Sequence, residues 1–191
     1  MIWEIDEVTD YVKSRMSNKR FNHVLGVVET AKELAKQHSV NLKDAEVAAL
    51  VHDVAKEQPL KQTSAILRLV GEDSYLKHSD KVWHAPMGAI VAEKVFMIEN
   101  KDILNAIKYH TTGRPKMSEL EKVIFVADYT EPNRTYEGCI AVRKFWGDLD
   151  KATCQILKQK IAKTTAGTGL THPDTLNAYE YYRKLVIEEN S

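Results

Sequence analysis

The chain has 191 residues, of which 43% are hydrophobic, and its 27 Lys and Arg residues balance its 27 Asp and Glu residues. This length suits one well-packed core and is short for two, so we expect a single domain over residues 1–191. Because the charges balance, the composition gives no general attraction to nucleic acids or to an anionic membrane. The acidic N-terminus and the short apolar runs predict a cytoplasmic protein that does not span a membrane.

Apolar residues recur with a helical period along most of the chain, and no segment alternates over the length of a strand. The predicted fold class is therefore all-α, a helical bundle. In chain order, helices are predicted over residues 4–13, from 18 onwards, 41–53, 60–70, 85–98, 102–112, 118–131, 138–163 and from 171 onwards. Residues 72–82 are expected to form a loop with room for a short turn.

Start and stop signals accompany these helices. Asn41 is a candidate N-cap, Ser118 and Glu121 have the spacing of a capping box, and Gly71 and Gly113 follow apolar stripes as C-caps do. The predicted core positions of the last two helices are Ile140, Phe145, Leu149, Ile156, Leu157, Ile161, Leu176, Tyr179, Tyr182 and Val186.

His52 and Asp53 follow an apolar run, 45–51, and place an imidazole and a carboxylate side by side near a buried helix face. A carboxylate in such surroundings is unfavourable unless a cation or a hydrogen-bond donor meets it. A divalent metal would meet both groups, and a buried His–Asp hydrogen bond is the alternative explanation. Lys56 is near enough in sequence to reach the same place.

Four further side chains with metal-binding chemistry lie on predicted helices. His23 and His110 each lie on an apolar stripe, so both are expected to face inward. His84 stands at a helix N-terminus, where the positive end of the helix dipole favours a neutral imidazole. Asp128 continues an apolar stripe near a helix C-terminus, so burial and the dipole both require a cation beside it. One such histidine is usually a hydrogen-bonded core residue, but the whole set is hard to satisfy without a metal.

Imidazoles and carboxylates without a thiolate are ligands for Fe, Mn, Co or Zn rather than for a structural zinc site. A metal of this kind lowers the pKa of water and makes a nucleophile available at neutral pH. A polyanionic substrate is indicated by four basic residues, Arg20, Lys56, Arg114 and Arg134. These features predict hydrolysis of a phosphoric anhydride or ester. His38 and His78 occupy polar positions and are given no role.

The order His23, His52-Asp53, Asp128 resembles the metal-binding pattern of the HD-domain phosphohydrolase superfamily. Longer motifs are similar, almost end to end, to the bacterial YqeK family: Arg20-Phe21-Asn22-His23, His110-Thr111-Thr112-Gly113, residues 127–134 and residues 171–176. The resemblance implies an HD-domain helical bundle and a symmetrical bis(5'-nucleosyl)-tetraphosphatase activity. Enzymes of this family use iron and hydrolyse diadenosine tetraphosphate to two ADP.

By this resemblance, the principal metal would be held by His23, His52, Asp53 and Asp128, and the catalytic residues would be Asp53, Asp128 and Lys56. His84 and His110 match positions that either contact phosphates or hold a second metal, and the sequence leaves both roles open. A loop, 167–175, would close over the nucleotide with backbone N–H groups. The implied substrate-binding residues are Arg20, His84, His110, Thr111, Arg134, Gly169, Thr171 and Thr175.

Other HD-type activities, such as a nucleotide phosphatase or a phosphodiesterase, stay open because the metal pattern is common to the superfamily. A non-catalytic nucleotide sensor would use the same pocket, and a helical interaction module would carry the histidines by chance. The expected partner is a dinucleoside polyphosphate substrate with its ADP product. The sequence leaves both a monomer and a homodimer open.

Overall fold

The computed structural model describes residues 3–167 and 169–188, and these residues form ten α-helices, two 3₁₀ helices and no strand. The predicted all-α class is therefore confirmed. The α-helices are α1 Ile5–Ser14, α2 Asn18–Gln37, α3 Leu42–Val51, α4 Leu60–Leu69, α5 His84–Lys94, α6 Lys101–Tyr109, α7 Glu119–Thr130, α8 Glu137–Arg143, α9 Leu149–Ala166 and α10 Pro173–Glu188. Thr168 of the predicted loop 167–175 lies outside the described residues, as do both ends of the predicted domain.

The helix signals of the sequence act as expected. The Asn41 side chain accepts hydrogen bonds from the backbone N–H groups of Lys43 and Asp44, at 2.9 and 3.1 Å, and so caps α3. Ser118 and Glu121 form the capping box that opens α7. Gly113 has a φ of +66° just after α6, a conformation that favours glycine and turns the chain away from the helix.

The segment 72–82, expected as a loop, contains the two 3₁₀ helices, Asp73–Lys77 and Asp80–Val82. Helix α5 ends at Lys94, before the predicted end at residue 98. Met97 has a φ of +54°, which is incompatible with a continuing right-handed helix. Both differences concern ends and turns, where apolar periodicity carries the least information.

The single helix predicted over 138–163 is wrong, because the structure divides it into α8 and α9. Asp148 caps the second helix by accepting a hydrogen bond from the Lys151 N–H at 2.9 Å. In the connection, the indole N–H of Trp146 donates to the Thr130 hydroxyl at 3.1 Å, which ties the turn to α7. Two predicted core positions are also wrong, since Ile140 is 46% exposed and Leu176 is 44% exposed.

Helix α7 lies at the centre of the fold and packs against α2, α3, α6 and α9. Its residues 123–127 are fully buried. At about 1.5–3 kcal/mol for each large apolar side chain, this burial offsets the cost of holding polar groups at the end of the same helix. Within the described ranges, every helix is too short or too polar to cross a lipid bilayer.

Candidate metal centre

Two histidines and two aspartates from three parts of the chain converge beside the C-terminal end of α7. His23 comes from α2, His52 is the C-cap of α3, Asp53 follows it in a turn, and Asp128 lies in the last turn of α7. The Nε2 atom of His23 is 3.7 Å from Asp53 Oδ2 and 3.2 Å from Asp128 Oδ1. The Nε2 atom of His52 is 3.6 and 3.9 Å from the same two oxygens. The structure thus brings together the four residues predicted for the principal metal.

Hydrogen bonds on the far side of each ring fix the orientation of both imidazoles. His52 donates from Nδ1 to the Ala49 carbonyl at 2.6 Å, and His23 donates from Nδ1 to Glu131 Oε1 at 3.1 Å. The Nε2 atoms therefore carry the lone pairs of the neutral rings. Both Nε2 atoms are buried, and no described residue gives either of them a hydrogen bond. Two such nitrogens beside two carboxylates fit a divalent metal.

Glu131 supports this centre, and sequence reasoning gave it no role. Its side chain is 2% exposed, and its second oxygen, Oε2, accepts a hydrogen bond from the Asn133 N–H at 2.7 Å. The carboxylate packs directly against Gly26, where a Cβ atom would lie 2.6 Å from Oε2. A carboxylate that holds the other nitrogen of a ligand histidine fixes the ring and raises its basicity. The available sequence signal was the acidic residue one helical turn after Asp128.

A second group lies on the other side of Asp53. Asp53 Oδ1 is 3.1 Å from His84 Nε2 and 3.7 Å from His110 Nε2. The three residues are spaced closely enough to hold a metal ion. The ring nitrogens of both histidines also have protein partners. The Nε2 atoms of His84 and His110 are 3.1 Å apart. His110 donates from Nδ1 to the Ile107 carbonyl at 2.7 Å, and Lys56 donates to His84 Nδ1 at 3.2 Å. Asp53 therefore turns one oxygen towards each group.

Each central carboxylate is also paired with an arginine. Arg20 Nη1 is 3.0 Å from Asp53 Oδ2, and Arg134 Nη2 is 2.9 Å from Asp128 Oδ1. The sequence argument required a cation beside Asp128, and Arg134 supplies one. Arg114, in contrast, was grouped with these basic residues but donates from Nε to Glu121 Oε2 at 2.7 Å. Its predicted place beside the anionic substrate is not supported by this geometry.

The protonation states of Asp53, Asp128, His52 and His84 suit metal binding near neutral pH. Burial would raise the pKa of Asp128, but Arg134 and His23 hold it well below its usual range, and neighbouring imidazoles do the same for Asp53. Burial lowers the pKa of His52 and of His84 to about 4, so both rings are neutral. The neutral state expected for His84 is confirmed, although burial rather than the helix dipole is the main cause. Burial alone would lower the pKa of His23, but the carboxylates around its ring outweigh burial, so the pKa of His23 is raised above its usual value.

A cavity of about 610 Å³ opens onto both groups. Its wall contains the remaining residues predicted to bind substrate: Arg20, Thr111, Arg134, Gly169, Thr171 and Thr175. It also contains His172, which lies in the predicted loop 167–175, and three residues that the sequence analysis left without a role: His78, Lys160 and Lys163. His78 occupies a loop position, as predicted, and its ring centroid lies 4.6 Å from that of His172 in the wall.

A helical bundle that gathers histidines and aspartates at the base of a cation-lined cavity defines a class, the metal-dependent hydrolases of the HD type. A sequence model described as HD domain matches residues 20–133, which include all of the residues of both groups. The chain therefore belongs to the HD domain family, and within it to the symmetrical bis(5'-nucleosyl)-tetraphosphatases, as the following relatives show.

One relative, from Bacillus subtilis (strain 168), is called "Bis(5'-nucleosyl)-tetraphosphatase, symmetrical" and is 39% identical over 178 residues, 92% of this chain and 96% of that protein. A protein of the same name from Halalkalibacterium halodurans is 38% identical over 180 residues, 93% of this chain and 95% of that protein. A solved structure, a "predicted HD superfamily hydrolase involved in NAD metabolism" from Clostridium acetobutylicum, is 37% identical and superposes with a TM-score of 0.91 over 96% of this chain and 99% of that chain.

Proposed function

We propose that this protein is an enzyme that hydrolyses diadenosine tetraphosphate, and related dinucleoside tetraphosphates, symmetrically to two nucleoside diphosphates. The observation that carries the proposal is the pair of unpartnered Nε2 atoms of His23 and His52, which face two ionised carboxylates at the base of a cationic cavity. The activity named for the relatives from Bacillus subtilis and Halalkalibacterium halodurans supports the choice of substrate.

The proposed cofactor is a divalent first-row metal, and the family resemblance favours iron. His23, His52, Asp53 and Asp128 would hold it, since their donor atoms are imidazole nitrogens and carboxylate oxygens. When bound, it would supply positive charge at the reacting phosphate and lower the pKa of water. A second metal between Asp53, His84 and His110 is the further possibility that their spacing allows, and the metal content of the purified protein decides between one ion and two.

The chain's own basic residues have the place and the charge to bind the phosphates. Arg20 and Arg134 lie in the cavity wall beside the two carboxylates, and Lys56 lies beside His84. Charge develops on the equatorial and leaving oxygens when a phosphoric anhydride is cleaved, and fixed cations at this position stabilise it. Asp53 and Asp128 stay ionised at neutral pH, so either carboxylate can accept the proton of the attacking water.

Product analysis tests the proposal. Protein purified without chelator and incubated with diadenosine tetraphosphate should give two ADP, separated by chromatography, and the Asp53→Ala variant should give none. Asp10→Ala is the matched control, because Asp10 is an exposed aspartate on α1, and it should keep full activity. Formation of ATP and AMP would contradict the assigned phosphate positions.

The same experiment separates the alternatives. Release of orthophosphate from mononucleotides, with the dinucleotide left intact, would identify a nucleotide phosphatase of the same family. Tight nucleotide binding without any product, in protein shown to contain metal, would identify a sensor. Absence of both metal and nucleotide binding would leave only an interaction module.

A further inference from the structure

Lys160 is a cationic residue of the cavity wall that the proposed reaction does not yet use. It lies on α9, and its side chain is partly buried. Its ammonium donates a hydrogen bond to the Thr111 carbonyl at 2.8 Å and lies 5.0 Å from the centroid of the Phe125 ring. The apolar stem is thus held by the core while the charged end faces the cavity.

This ammonium differs from the other cavity cations in its partners. Arg20, Lys56 and Arg134 are each bonded directly to a residue of the metal centre, namely Asp53, His84 and Asp128. In the part of the chain that the structure describes, no carboxylate lies within ion-pair distance of Lys160, whose one hydrogen-bond acceptor is a neutral carbonyl. An ammonium has three N–H donors, so two are available to an anion in the cavity.

Thr111, whose carbonyl holds Lys160, carries a second polar group. The hydroxyl of Thr111 is buried, and no described residue gives it a hydrogen-bond partner. Thr111 also lines the cavity, and Lys163 lines it one helical turn after Lys160. An ammonium with free N–H donors in a cavity wall matches the oxygens of a phosphate group. Burial of the ammonium lowers the pKa of Lys160 to about 8, so it is still cationic at neutral pH.

We propose that Lys160 binds a phosphate group beyond the one at the metal centre, and so makes the cavity selective for a polyphosphate chain over a single phosphate. This inference rests on the proposed function. A phosphate held at the metal centre is already met by Arg20, Lys56 and Arg134, whereas Lys160 reaches the cavity from α9 and contacts none of their partners. The chemical group it recognises is therefore the next phosphate along the same substrate.

The experiment compares Lys160→Met with wild type, using diadenosine tetraphosphate as substrate and orthophosphate, which has no second phosphate, as competitive inhibitor. The KM for the tetraphosphate should rise about 10- to 100-fold, the loss expected for a charge-assisted hydrogen bond, with kcat changed by less than about threefold. The inhibition constant of orthophosphate should change by less than about threefold. Lys158→Met, at an exposed position of the same helix, is the control and should leave both constants unchanged.

A residue that only supports the fold would weaken both ligands equally, so an unchanged ratio of the two constants overturns the inference. Lys160→Arg, which keeps the charge, should recover part of the lost affinity. If wild-type protein does not cleave diadenosine tetraphosphate, the proposed function fails, but Lys160 can still be tested by calorimetry with inorganic tetraphosphate and orthophosphate. In that case a loss of tetraphosphate affinity in Lys160→Met, with orthophosphate affinity unchanged, supports the inference, and equal affinities in the two proteins overturn it.

Discussion

Replacement of Gly26 by Ala tests whether Glu131 holds His23 in place. Gly26 is buried in α2, three residues after His23, and a Cβ atom there would lie 2.6 Å from Glu131 Oε2 and 3.0 Å from Asn133 Nδ2. The carboxylate must therefore move by about 0.8 Å for the first contact to lengthen from 2.6 to 3.4 Å, the lower limit of an ordinary contact.

The magnitude follows from the hydrogen bond between that carboxylate and His23. A shift of this size along the bond would lengthen the 3.1 Å contact between His23 Nδ1 and Glu131 Oε1 to about 3.9 Å, beyond hydrogen-bond range. Loss of a hydrogen bond to a buried charged group lowers the free energy of unfolding by about 1.5–3 kcal/mol. Ala in place of Gly inside a helix raises it by about 1 kcal/mol, because Ala has the higher helix propensity. We expect a net destabilisation of about 0.5–2 kcal/mol and a loss of metal affinity of about 10- to 100-fold.

Two assays measure these effects separately. Thermal unfolding in excess chelator reports the change in stability, and calorimetric titration with Mn²⁺ reports the change in metal affinity. Gly147→Ala is the control, because its Cβ would meet only the end of the Gln37 side chain, at 3.5 Å. If Gly26→Ala instead gains about 1 kcal/mol, the helix-propensity difference, and keeps its metal affinity, then Glu131 does not fix the His23 ring and the reasoning is refuted.

Three further predictions concern charge. Because burial lowers the pKa of Lys160 from 10.5 to about 8, the folded protein binds fewer protons than the unfolded chain between these values, and wild-type stability rises with pH across that window. Lys160→Met should therefore be more stable than wild type at pH 7, by about 1–2 kcal/mol once screening by solvent in the cavity is included. Melting curves recorded at increasing pH should show this difference disappear by about pH 10. Arg134→Gln should destabilise the chelated protein by about 1–2 kcal/mol, since it leaves the Asp128 carboxylate without its guanidinium partner; equal melting temperatures would contradict this. Metal at 100 times its Kd should stabilise wild type by about 2.7 kcal/mol, and Asp53→Ala should abolish that shift in the same melts.

Much of the fold could be predicted because local signals and tertiary packing agree. Asn41, Ser118 and Gly113 mark helix ends through their own backbone and side-chain chemistry. The break between α8 and α9 was missed because apolar spacing continues across it. Its causes are partly distant in sequence, since Trp146 bonds to Thr130 on α7. The Asp148 cap was a local signal that could have been used.

The candidate site was predictable to the extent that polar residues interrupt apolar stripes. Asp128 stands out in this way on α7, and His110 does so as the C-cap of α6. Lys160 does not, because α9 carries several lysines and only the packing of that helix determines which of them faces the cavity. The same holds for His78, whose segment is too short and irregular for periodicity to orient any side chain.

The separation of the metal ligands along the chain has a consequence for folding. His23 and Asp128 are more than half of the chain apart, and they meet only when α2 and α7 have docked. A metal ion cannot gain its full coordination from any short segment, so it cannot nucleate folding as it does in a zinc finger. Interactions that form after the transition state act on the unfolding rate. Metal binding at this centre would then determine how long the native state lasts, while the time taken to reach that state depends on the packing around α7.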